Sequence, residues 1–260
     1  MSVHHKTPSE LVDFLLTVAE EKGKKECFKL AILGLFAGAL IALGGVANIV
    51  SSSTLLKSDP GAAKVLGASV FPVGLILVVT LGTELFTGNV LMGVGFVNKN
   101  INLKSLLRNW VIVYIFNYVG SVIIAYITAK TGAFNPDSQA FVDAMAHGKI
   151  EASAYVLFLK GILCNVLVCS AVILAYMSRD TIGKLVGAWL PIMLFVLIGY
   201  DHSVANMFYL NVAKMFNPTI TYAGIFYNLF YVTLGNIVGG LFIGLSLYVC
   251  YYKKENKLEK

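Results

Sequence analysis

The chain has 260 residues, 57% of them hydrophobic and only 13% charged, with a formal net charge of +6. So apolar a composition excludes an ordinary soluble domain and fits a single polytopic membrane domain. The basic residues are spread over short connecting segments and form no patch, which argues against nucleic acid as a partner and for a role in setting membrane topology.

The first 27 residues are polar and carry both charge signs, so no signal peptide is expected there. Within them Thr7-Pro8-Ser9-Glu10 predicts a helix start, with an N-cap hydroxyl, proline at the first helical position and a glutamate three residues after the cap. Leu11, Phe14, Leu15 and Val18 then follow at helical spacing, predicting an amphipathic helix along the membrane face or against the bundle.

Roughly 20 apolar residues cross a bilayer. Six stretches qualify, at 28–50, 65–97, 109–129, 153–177, 185–212 and 222–252, giving a membrane domain over 28–252 and a tail over 253–260. The second and fifth are longer than one straight helix needs, and each has a polar interruption near its middle: Gly82-Thr83-Glu84-Leu85-Phe86-Thr87-Gly88-Asn89 and Gly199-Tyr200-Asp201-His202-Ser203-Val204-Ala205-Asn206. Each is expected to be two half-helices joined by irregular backbone, which is tolerated at membrane depth only inside protein or beside a wet cavity.

Six spans put both termini on one side. If that side is the cytoplasm, fourteen lysines and arginines lie inside and five outside, with Lys160 left within the fourth span, which predicts N-in and C-in. The interruptions recur 117 residues apart, and Asn109 with Asn117 in the third span parallels Asn228 with Asn236 in the sixth. Three spans per repeat is an odd number, so the expected architecture is an all-α 3+3 inverted repeat, with half-helix N-termini meeting near the midplane and able to favour an anion.

Of the polar residues in these spans, His202 is the only histidine, and Asp201 and Ser203 flank it. An unperturbed imidazole titrates near 6.5, so His202 is read either as a hydrogen-bond or proton donor to an anion, or as a brace for the interrupted backbone. Thr87 is the corresponding hydroxyl-bearing position in the other interruption, placed to face His202 or to satisfy freed backbone groups. Glu84 and Asp201 are expected to cap the second half-helices. Asn165 lies mid-span, and Lys160 five residues earlier is expected to reach toward an interface. Trp110 and Trp189 read as interfacial anchors. Cys27, Cys164, Cys169 and Cys250 show no C-x-x-C spacing and are read as small buried hydrophobes. No metal site or cofactor is expected.

The two interruptions, together with Leu163-Cys164-Asn165-Val166-Leu167-Val168-Cys169 and Asn228 through Gly240, resemble the signature stretches of the formate/nitrite transporter family. The likeness runs from about residue 8 to 252 and is nearest the hydrosulfide-channel branch. It implies an aquaporin-like six-span protomer, a homopentamer in the lipid bilayer, and one pore per protomer for small monovalent anions of weak acids, in the cytoplasmic membrane. It implies no enzymatic activity. By motif position the central histidine is His202, the facing threonine Thr87, the pore asparagine Asn165 and the electropositive lysine Lys149. The implied cytoplasmic constriction comprises Phe71, Leu75, Leu85 and Phe86, and the outer one Val168 and Phe195.

Two other readings are weighed. A neutral-solute channel of the water/glycerol type would carry Asn-Pro-Ala at both half-helices, whereas these interruptions end in Thr87-Gly88-Asn89 and Val204-Ala205-Asn206. A membrane hydrolase built on Asp201-His202-Ser203 fails because three consecutive residues cannot form a relay among themselves, and no G-x-S-x-G elbow is present.

Overall fold

The computed structural model describes residues 5–252, so the expected tail at 253–260 lies outside the described residues. Apart from one isolated bridge between His5 and Ser178, the regular structure of those residues is helical. In order the helices are α1 (Pro8–Lys24), α2 (Cys27–Ser52), α3 (Pro60–Val70), α4 (Val73–Thr80), α5 (Phe86–Asn89), α6 (Gly93–Val97), α7 (Leu103–Lys130), α8 (Pro136–Ile150), α9 (Ala154–Met177), α10 (Thr181–Ile198), α11 (Ser203–Phe216) and α12 (Tyr222–Tyr251). Among the described residues six helical segments are long and apolar enough to cross a membrane, the second running through α3 and α4.

The start of α1 is built as its sequence requires: the Glu10 backbone N–H donates to Thr7 Oγ1, and the Thr7 N–H donates to Glu10 Oε2. Leu11, Leu15 and Ala19 are buried against the bundle, so α1 packs inward and does not lie free along the membrane. Ser9 donates to the Tyr251 carbonyl, which brings the start of α1 beside the end of α12. That side is called here the terminal face.

Two helix pairs form the frame, α2 along α7 and α9 along α12. Glycine permits both approaches: a Cβ on Gly38 would stand 2.0 Å from the Asn117 carbonyl oxygen, and one on Gly239 would stand 2.1 Å from that of Ile162. Between the pairs, helix stops at Thr80 and resumes at Phe86, and it stops again at Ile198 and resumes at Ser203. Positive φ at Gly82 (65°) and Gly199 (85°) opens each interruption.

Helix α8 was not among the predicted elements. It caps the opposite face and is entered through Asn135, whose side chain accepts from the Ser138 N–H, with Pro136 at the first helical position. The cysteines divide: Cys164 and Cys169 are buried as expected, whereas Cys27 and Cys250 are exposed near the helix ends. The tryptophans are tied into the bundle, Trp110 donating to the Asn89 carbonyl and Trp189 to that of Ser69.

Candidate functional site

The two interruptions are held by the same bonds. Asn117 Oδ1 accepts from the Phe86 N–H at 2.9 Å while its Nδ2 donates to the carbonyls of Gly34 and Glu84. Asn236 Oδ1 accepts from the Ser203 N–H at 2.9 Å while its Nδ2 donates to the carbonyls of Gly161 and Asp201. Asn89 Nδ2 donates to Glu84 and to Asn109, as Asn206 Nδ2 does to Asp201 and Asn228. Free backbone at this depth must find partners; Asn117 of α7 and Asn236 of α12 supply them, while Asn109 and Asn228 hold the side chains of Asn89 and Asn206.

Each carboxylate is buried and paired. Glu84 receives Lys22 of α1 and Lys25 just beyond its end, both at 2.6 Å. Asp201 receives Lys149 of α8, with Lys160 of α9 at 4.0 Å. Burial works against the Lys22 ammonium, but Glu84 outweighs it and holds the group above the ordinary lysine value. The carboxylates are therefore not the helix caps expected of them. The cap of α11 is His202, whose Nδ1 accepts from the Ala205 N–H at 3.1 Å.

That bond decides the chemistry of the imidazole. With Nδ1 an acceptor, a neutral ring carries its proton on Nε2, which stands 2.7 Å from Thr87 Oγ1. Nε2–H then donates to Thr87, and the threonine hydroxyl hydrogen is left to point elsewhere. An imidazolium would set a second N–H against that of Ala205, so the geometry suits a fixed donor better than a proton carrier. The helix starts are also less open to an anion than expected, since the N–H groups of Phe86, Ser203 and Ala205 are already engaged.

A cavity of about 390 Å³ opens on the opposite face and is lined by Phe71, Lys149, Phe195, Asp201 and His202, among others. A second, of about 210 Å³, opens on the terminal face and is lined by Lys22, Lys25, Leu75, Glu84 and Leu85. His202 stands in the wall of the first, and Leu85 and Gly88, on either side of Thr87 in the chain, stand in the wall of the second, so the Thr87–His202 contact ties one wall to the other.

The expected site residues distribute as follows. His202 and Thr87 meet, and Lys149 pairs with Asp201. Asn165 Nδ2 bridges the carbonyls of Thr87 and Asn236, and its Oδ1 is buried without a partner among the described residues. Leu75 and Leu85 line the terminal-face cavity. Phe71, expected with them, lies on the other side, in edge contact with Phe195 at 5.8 Å. The reason is the turn at Phe71-Pro72 between α3 and α4, together with the ~6 Å of helix that separates residues four apart.

Phe86 also departs from the expected constriction. Leu85 is extended (φ −106°, ψ 124°), so its successor points away, and Phe86 packs edge-on against Tyr114 at 4.9 Å and Trp110 at 6.1 Å. Val168 is buried within the core and lines neither cavity. Lys22, Lys25 and Asn48 were missed as wall residues. The first two lie beyond any apolar window, and Asn48 is one polar residue in a long apolar helix.

Comparison with known proteins gives these arrangements a family. A formate/nitrite transporter family description matches residues 9–250. A probable formate transporter of Methanothermobacter thermautotrophicus is 41% identical over 98% of this chain and 100% of its own length. Among solved structures, an FNT family ion channel superposes with a TM-score of 0.86 at 30% identity, over 93% of this chain and 98% of its own. A pentameric formate channel with formate bound gives 0.78 at 32% identity, over 88% of this chain and 99% of its own. From the family match along nearly its whole length, and relatives of this identity and coverage, the chain belongs to the formate/nitrite transporter family.

Proposed function

We propose that this protein is a channel for small monovalent anions of weak acids, with one pathway through each protomer from one cavity to the other past Thr87 and His202. The observation that carries this reading is the Thr87–His202 contact between two cavities that each present lysines to water. An anion is drawn to the first mouth, where Lys64, Lys149 and Lys160 outnumber Asp201, whereas in the second Lys22 and Lys25 are balanced by Glu21 and Glu84; within, it meets apolar side chains, Phe71 and Phe195 on one side and Leu75 and Leu85 on the other. Losing water there is costly for a charge, and the compensating group is the Thr87 hydroxyl, freed to donate outward because Nε2–H of His202 occupies its oxygen. Asn165 positions that threonine through its carbonyl.

We read the chain as two inverted repeats of three spans, the second span of each broken into half-helices; the matching asparagine bonds support this. Within the N-terminal 27 residues α1 (Pro8–Lys24) is an accessory helix on the cytoplasmic side, and the described residues from 28 to 252 form the channel. The distribution of basic residues supports both termini in the cytoplasm. Likeness to the pentameric formate channel supports a homopentamer. Formate is the first candidate substrate, by analogy with the named relatives; the motif resemblance adds hydrosulfide and nitrite.

The test is flux into sealed proteoliposomes of formate, nitrite and hydrosulfide, with and without a protonophore. Saturation-free anion flux exceeding that of protein-free vesicles is expected. Glycerol flux without anion flux would replace this reading with a neutral-solute channel.

A further inference from the structure

A third cavity lies outside the pathway. Its volume is about 360 Å³, and it opens on the terminal face between α1, α4, α9 and α10. Lys6 and Lys184 stand in its wall with the hydroxyl-bearing Ser178 and Thr181, while Ile76 and Leu185 form apolar parts of the lining. Among the described residues no carboxylate stands in the lining itself, although the Ser178 hydroxyl is turned to the neighbouring Asp180, at 3.0 Å from its carbonyl and 3.1 Å from its carboxylate.

Its cations are fixed differently. The Lys6 N–H donates to the Met177 carbonyl, its ammonium donates to the Tyr176 carbonyl at 2.5 Å and lies 4.4 Å from the centre of the Phe14 ring. Lys184 is exposed on the first turn of α10 and forms no ion pair among the described residues. Nearby Arg179 is turned to Glu10 at 3.5 Å. Burial, and then the charges of Arg179 and Lys184, hold the Lys6 ammonium below its ordinary value, so these cations repel one another and gain from an anion between them.

The position identifies the anion. The cavity sits where α9 ends and α10 begins, at the boundary of two membrane-crossing helices, with polar and cationic groups beside apolar wall. We infer that it seats the phosphate-bearing headgroup of an anionic phospholipid, with Lys6 and Lys184 on the phosphate, the Thr181 hydroxyl beside it, and the start of an acyl chain along Ile76 and Leu185. Basic recesses between spans at the membrane surface suit such headgroups, and a soluble anion has no use for the apolar wall.

The test is native mass spectrometry of the full chain in detergent with phosphatidylglycerol, with phosphatidylcholine of the same acyl chains, and with inorganic phosphate. Phosphatidylglycerol is expected to be retained at least fivefold over phosphatidylcholine. Lys184→Gln is expected to reduce that retention about fivefold, the effect of losing one cation near an anionic lipid surface, and Lys184→Arg to restore it. Because Lys184 is exposed, both variants should retain the wild-type melting temperature. Equal retention of the two lipids, or unchanged retention in Lys184→Gln, would overturn the site. Displacement of phosphatidylglycerol by millimolar inorganic phosphate would overturn the lipid assignment in favour of a soluble phosphate ligand.

Discussion

Glu84 and Asp201 sit in matching nets of lysine and asparagine, yet the residues that follow them differ in kind. After Glu84 come Leu85, Phe86 and Thr87; after Asp201 come His202, Ser203 and Val204. Leu85 and His202 correspond, one facing each cavity, and the first offers only a methyl surface while the second offers a ring with two polar atoms. The hydroxyl that meets this ring is Thr87, from two positions further along the other interruption. The bonds that hold the two interruptions match, whereas the chemistry where they meet is assembled from unlike residues.

The strongest way to break this comparison is to remove its shared part. Asn117→Ala and Asn236→Ala each strip the partner from a buried N–H and a buried carbonyl near an interruption, and the expected cost is about 3 kcal/mol for either, from about 1–3 kcal/mol per orphaned group. Thermal unfolding of the purified variants should give similar falls in melting temperature. A large fall for one and none for the other would mean that the two nets are alike in geometry only.

A smaller effect is expected where the two interruptions differ. In His202→Asn the amide oxygen can still cap the Ala205 N–H, but a shorter side chain loses its grip on the Thr87 hydroxyl. Anion flux should fall about tenfold, the worth of one hydrogen bond of roughly 1.4 kcal/mol, while its variation with pH near neutrality stays as in the wild type. A variant that loses the wild-type pH dependence would make His202 a proton carrier after all. The least change belongs to Leu85→Ala, which widens the terminal-face narrowing between glycine-flanked turns. Flux should rise about two- to threefold with the ratio of formate to nitrite unaltered, since hydrophobic narrowing sets passage and not identity.

Much of this was legible in the sequence, for reasons that differ from residue to residue. The spans and both polar interruptions are visible because an acid within an apolar run is conspicuous; His202 stands out as the one imidazole in those runs, and Thr87 as the hydroxyl at the corresponding position of the other. Helix α8 was overlooked although Asn135-Pro136 announces its start, because 136–150 has no apolar stretch of membrane length. The resemblance places Phe71 with Leu75 and Leu85, whereas Phe71 lines the other cavity, because motif position does not encode on which side of the Phe71-Pro72 turn a side chain falls. The pairing of Lys22 and Lys25 with Glu84 needs α1 folded beneath the bundle, and no periodicity encodes that contact.

The lysine pairs also carry an order in time. Lys22 and Lys25 leave the ribosome before Glu84, and Lys149 and Lys160 before Asp201. Each acid is thus synthesised after the bases that will neutralise it, and its segment can be handed to the bilayer with a counter-charge already waiting at the same surface.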